Sequence, residues 1–199
     1  MQNDLVFIAT FLGPLIIDLK QPDRNFYHHE VQQQQDESSI PKGGFLDNES
    51  TLFANCLLNN HNLDIIETKS GHVRNSLKFP RKIKDFCISK NTSEIFVICG
   101  GENNALVDSQ IKDDYNCSFA YNGDECATDF TYDEIFIIRK TGYNEYQVED
   151  YWDLPGEANR ISINQISQQI LIFGDKECWI YNIDNDHLKN NLKQRLFNI

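Results

Sequence analysis

The chain has 199 residues, 40% of them hydrophobic and 12% aromatic, enough for one domain with a sizeable core. Its 18 basic and 30 acidic residues leave a formal charge of -12, which excludes general binding to phosphate backbones or anionic membranes, because both need clustered Lys and Arg. The densest basic run, KFPRKIK from Lys78 to Lys84, is too short to change that expectation.

In chain order, the first apolar run is LVFIATFLGPLII, Leu5 to Ile17. It is shorter than the roughly 20 apolar residues of a membrane-spanning helix, has no positive flank and is not followed by a small-residue cleavage site. It reads as two strands around a Gly13-Pro14 turn, and the expected location is intracellular, cytoplasmic or nuclear. Asn25 to Val31 reads as an outer strand, and the Gln-rich stretch 31–44 as an inserted flexible loop. TLFANCLL (Thr51 to Leu58) and LDIIETK (Leu63 to Lys69) form the next strand pair, followed by an outer strand at His72 to Phe79. IKDFCIS (Ile83 to Ser89) is an inner strand. EIFVICGG (Glu94 to Gly101) then pairs with DEIFIIRK (Asp133 to Lys140) across an acidic insert, 102–133. Asn144 to Trp152, Asn159 to Ile166, QILIFGD (Gln169 to Asp175) and CWIYNID (Cys178 to Asp184) continue the strand series. In the tail, Leu188, Leu192 and Leu196 recur at i, i+4 and i+8. That spacing predicts a short amphipathic C-terminal helix, in preference to an outer strand of the last sheet.

Four of these runs are alike: those beginning near Leu5, Thr51, Glu94 and Gln169. From Val6 to Leu52 is 46 residues and from Leu52 to Ile95 is 43. From Ile95 to Ile170 is 75, or one period plus the insert. Periods in the forties are those of propeller blades, each a four-stranded sheet that must be covered by its neighbours. The expected fold is all-β: a partial β-propeller of about three to four four-stranded blades, forming a single domain or fragment over 1–199. An ordinary β-sandwich is the alternative.

Three features resemble kelch-repeat propellers. They are the Gly100-Gly101 pair closing a strand, the Trp152, Pro155, Arg160 junction, and the similar junction at Pro80 and Arg81. The resemblance spans Leu63 to Asp184. It implies glycines that let the backbone turn sharply, and a role as adaptor, cytoskeletal binder or substrate receptor. WD-repeat propellers are the rival, through the period and the Trp152-Asp153 dipeptide. An arc of this length leaves edges and a blade face uncovered. Three readings follow: a piece of a larger protein, closure with another subunit, including a homo-oligomer, or a small degenerate ring.

Residues of chemical interest are few. Cys56, Cys87, Cys99 and Cys178 lie in apolar strand runs and read as core thiols. Cys117 and Cys126 share the insert and could pair only under oxidising conditions, whereas reduced thiols are expected. No CxxC pair, EF-hand spacing, GxSxG, HExxH or P-loop occurs, so no metal, cofactor or catalytic residue is assigned. His28 and His29 are adjacent, which on a strand sends them to opposite faces. His61 and His72 are placed on turns. The acidic insert is the best partner-binding candidate, because Tyr115, Phe119 and Tyr121 interleave there with acids such as Asp124 and Glu125. The expected function is a non-catalytic protein-interaction scaffold. An enzyme or carbohydrate-binding domain on the same fold is the alternative.

Overall fold

Short β-branched runs broken by turn residues cannot make long helices, and the described residues form fifteen strands. The computed structural model describes residues 5–10, 13–21, 25–28, 41–58, 60–100, 133–142, 145–175, 177–183 and 192–196. Sheet one holds β1 (Leu5–Thr10), β2 (Gly13–Asp18) and β3 (Asn25–His28). Sheet two holds β4 (Pro41–Phe45), β5 (Leu52–Leu57), β6 (Asn62–Glu67) and β7 (Val73–Lys78). Sheet three comprises β8 (Ile83–Ser89), β9 (Glu94–Cys99), β10 (Glu134–Gly142) and β11 (Glu145–Asp153). Sheet four comprises β12 (Ala158–Asn164), β13 (Gln169–Gly174), β14 (Cys178–Asn182) and β15 (Leu192–Leu196). Every pairing is antiparallel between consecutive strands, so each sheet is a simple meander.

The core lies between the sheets. Ile16, Phe53 and Ile66, with Leu5, Phe7 and Phe45, join sheets one and two. Sheets two and three close over Ala54, Leu63, Ile65, Phe79, Phe86, Ile95, Val97 and Phe136. Sheets three and four close over Phe96, Ile98, Ile135, Ile161, Ile170, Ile172 and Trp179. All six residues of β9 are buried, because sheet three, like sheet two, has a neighbouring sheet on each side. This is the stacked arrangement the repeat demands.

The repeat is also visible in the ladders. β8 pairs with β9 and β12 with β13 in matching registers, each opening with a one-residue irregularity. Ile83, Asp85, Cys99 and Glu94 thus correspond to Ala158, Arg160, Gly174 and Gln169, an offset of 75 throughout. Ser50, Ser93 and Gln168 take φ of 56°, 57° and 52°. Each sits in the turn just ahead of the second strand of its sheet, so three blades share one left-handed turn.

Four expectations need correction. The predicted helix is absent at 192–196, where β15 pairs with β14 instead. A leucine spacing of four fits period 3.6 and period 2 alike, and the unpaired edge of β14 decides for a strand. Residues 41–44, assigned to the inserted loop, open β4, and the rest of that loop lies outside the described residues. A Cβ on Gly43 would come within 2.2 Å of the Phe7 ring and 2.8 Å of the Ala54 carbonyl oxygen. Gly43, which reads as loop, is therefore where sheets one and two approach closely, and a Cβ on Gly44 would stand 3.1 Å from the Ile88 side chain of sheet three. Gly13 and Pro14 lie within β2, paired with Thr10 and Ala9, so the turn precedes them. Finally, the 43-residue spacing is out of phase. Leu52 faces sheet three while Ile95 faces sheet two, and the counterpart of Ile95 is Phe53, which faces sheet one.

A non-glycine residue in the left-handed region costs about 1 kcal/mol. Ser93→Gly is therefore expected to raise stability by roughly 0.5–1 kcal/mol, and Ser93→Val to lower it, both read as shifts of the urea midpoint.

Candidate interaction surfaces

The first strands of sheets two, three and four lie side by side on the inner edge of the arc. Between them opens a cleft of about 280 Å³ lined by Lys42, Gly43, Phe86, Cys87, Ile88, Ile161, Ser162 and Ile163. Its charged groups are already engaged. Asp85, 1% exposed, accepts a hydrogen bond from the Lys42 ammonium with one oxygen and from the Ile161 backbone N–H, at 2.9 Å, with the other. The Lys42 nitrogen also lies 5.3 Å from the Phe86 ring centre. One carboxylate therefore ties three consecutive sheets together.

A second tie lies at the end of the β9–β10 hairpin. Asp133 accepts the Ala158 N–H at 2.6 Å and the Lys84 ammonium at 2.8 Å. Its backbone carbonyl takes the Leu154 N–H at 2.7 Å. Gly100 leaves room for this carboxylate, since a Cβ there would stand 1.6 Å from an Asp133 oxygen. The φ of Gly100 is not positive. Its use is space for a side chain rather than the sharp turn the kelch resemblance implies. Beside it, burial holds the Glu134 carboxyl above its ordinary range, with Arg81 4.0 Å away opposing the rise. On the outer side, Arg139 bridges Glu94 and Glu149. These charged groups act between strands and sheets, and none of those named pairs with a nucleophile among the described residues.

The described thiols are core residues. Cys56, Cys87 and Cys99 are buried and free, while Cys178 is half-buried. Burial pushes the Cys87 thiol up to about 12 and raises Cys56 and Cys99 further, the opposite of what a nucleophile needs. Among the described residues no three His, Cys, Asp or Glu side chains gather as a metal site. No helix among them is long and apolar enough to cross a membrane. His61 and His72 sit between strands as expected, with His61 Nδ1 3.1 Å from the Phe79 carbonyl oxygen. His28 ends β3 and His29 lies outside the described residues.

Tyr115, Phe119, Tyr121, Asp124 and Glu125, together with Cys117 and Cys126, lie outside the described residues. What the structure does place is the root of their segment. Cys99 and Glu134 are partners in the β9–β10 ladder, so the two ends of the insert emerge side by side from the most buried sheet.

Two further surfaces were not anticipated residue by residue. The outer face of sheet four carries Leu171, Phe173 and Ile180, with Ser162 and Arg160 beside them. Phe173 is 40% exposed. The outer face of sheet one carries Val6 and Ile8, 37% and 39% exposed, paired with Ile17 and Leu15. The sequence signal was present: both are faces of continuous apolar runs, which belong to strands covered on both sides.

With this geometry in view, comparison with solved structures settles the architecture. The chain is similar to the β-propeller domain of Cps50 (Swd1) from Myceliophteria thermophila, with a TM-score of 0.58 at 11% identity over 97% of this chain. It is also similar to a chain of the mitotic checkpoint complex, with a TM-score of 0.51 at 10% identity over 91% of this chain. The fold is a β-propeller arc. The chain spans about half of each neighbour, 55% and 45% respectively. No family model matches the sequence, and no curated protein matches it.

Asp85→Ala removes the carboxylate that joins three sheets and leaves the buried Ile161 N–H without its acceptor. The expected loss is about 2–4 kcal/mol, read from the urea midpoint with the native circular dichroism spectrum unchanged at zero denaturant. An unchanged midpoint would show that the tie contributes nothing.

Proposed function

We propose that the chain is a non-catalytic protein-interaction scaffold built on a propeller arc, which presents the acidic insert 102–133 to a protein partner. One observation carries this reading. The insert leaves and re-enters the protein at Cys99 and Glu134, adjacent residues of the fully buried central ladder. A long loop held on a rigid base is where propeller-type scaffolds place recognition. In that insert Tyr115, Phe119 and Tyr121 supply aromatic anchors, and Asp124 and Glu125 supply charge.

The repeat type is read as kelch-like on Gly100, on Trp152 with Pro155 and Arg160, and on Pro80 with Arg81, with the WD type as rival. The likeness to a chain of the mitotic checkpoint complex supports a protein as partner, and the inner-edge charges engaged in structural ties support a non-enzymatic role. The open ends of the arc fit closure in trans. An intracellular location, cytoplasmic or nuclear, suits the buried unpaired thiols.

The test is affinity capture from cells with the intact chain and with Tyr121→Ala/Glu125→Ala. The expected result is loss of a defined co-purifying protein at least tenfold, with an unchanged melting temperature. Equal capture by both, or saturable binding of a sugar or other small ligand by a chain without a protein partner, would overturn the proposal in favour of the alternative domain class.

A further inference from the structure

The two end faces of the arc are apolar in sequence, and among the described residues no further sheet packs on them. β9 and β13 are repeats of one another, yet β9 is buried at every position whereas in β13 only Ile170 and Ile172 are buried. Leu171 and Phe173 occupy the register positions of Phe96 and Ile98, which sheet four covers. β14 behaves the same way, with Trp179 and Tyr181 buried and Ile180 half-buried on the other side. At the opposite end Val6 and Ile8, with Leu15 and Ile17, form a matching aliphatic face. Within the arc, faces of this composition are always found packed against the next sheet.

Resting on the reading of the chain as a propeller arc, we propose that both faces are closed by a second copy of this chain. The sheet-four face of each copy packs on the sheet-one face of the other, giving a two-fold ring of eight sheets. Three observations lead to this occupant. One chain spans 55% and 45% of the two propeller neighbours, so the complement of the arc has about its own size, and eight sheets lie within the four-to-eight range of propeller rings. The two end faces are unlike each other but both aliphatic, and a two-fold axis brings unlike faces together twice and closes the ring without a leftover end. The third observation is charge. Along the inner strands, Lys42, Asp85 and Arg160 occupy the side facing the following sheet, and Lys42 meets Asp85. Among the described residues Arg160 has no ion-pair partner and is exposed. A cation on this rim favours an acidic group on the edge of the sheet that arrives, as Asp85 answers Lys42 within the arc.

The experiment is solution mass by light scattering on the purified full chain, on Phe173→Asp, on Ile8→Asp, and on an equimolar mixture of the two variants. The wild type is expected at twice 23.1 kDa and each variant at the single-chain mass, with an unchanged circular dichroism spectrum. The mixture is expected to regain the double mass, because in a mixed pair one junction retains both native faces. Should Phe173→Asp fail to fold, Ser162→Arg places a charge on the same face at an already exposed position.

A wild type that stays monomeric at every concentration overturns the proposal and assigns the faces to other blades. A dimer that persists in both variants overturns it too, as does a mixture that does not recover. A monomeric wild type that still loses its partner in Tyr121→Ala/Glu125→Ala would leave the scaffold reading standing. A dimer whose partner capture ignores that double substitution would remove the scaffold reading alone.

Discussion

A four-stranded antiparallel sheet with two apolar faces cannot exist alone in water, and every other feature of this chain follows from that constraint. Each sheet is stabilised only by the sheets on either side, so cohesion is a series of interfaces rather than one central core. Fully burying a Leu, Ile or Phe side chain contributes about 1.5–3 kcal/mol. Phe53, Phe79 and Phe96 lie one in each of the three successive interfaces. Of the two inner sheets, sheet three holds the fully buried strand β9, and it is also where the insert is rooted.

Polar groups specify how the sheets meet. Apolar faces slide easily over one another, whereas a carboxylate that must receive a particular N–H fixes position and rotation. Asp85 and Asp133 both do this, reaching from sheet three to Ile161 and Ala158 at the start of sheet four. Each is also neutralised by a lysine, Lys42 and Lys84 respectively, which offsets the cost of burying charge. The charges at the inner edge of the arc thus hold the architecture.

Much of the fold was legible because strand runs and turn residues are local signals. The hairpins β1–β2, β5–β6, β9–β10 and β13–β14 and the inner strand Ile83–Ser89 follow directly from them. The 75-residue offset holds residue for residue, since it is carried by two whole strands. The 43-residue offset slipped because a one-residue shift preserves an apolar run while exchanging its faces. β4 was hidden because Gly43 and Gly44 signal a loop locally, and what they make room for is distant in sequence: Phe7 for Gly43, 36 positions away, and Ile88 for Gly44. Asp85 reads as an ordinary outward polar residue in a strand. Only the arrival of Lys42 and Ile161 makes it a junction. The end faces were the subtlest point: sequence composition states that a face is to be covered but not by what.

The central claim, that stability resides in the interfaces between sheets and is greatest in sheet three, is tested most directly by native-state hydrogen exchange resolved to peptides. The account predicts that amides of β9 and β10 exchange slowest, only through global unfolding, and that β1 and β2, whose outer face is open, exchange faster. Equal protection across all four sheets, or slower exchange in sheet one than in sheet three, would contradict it.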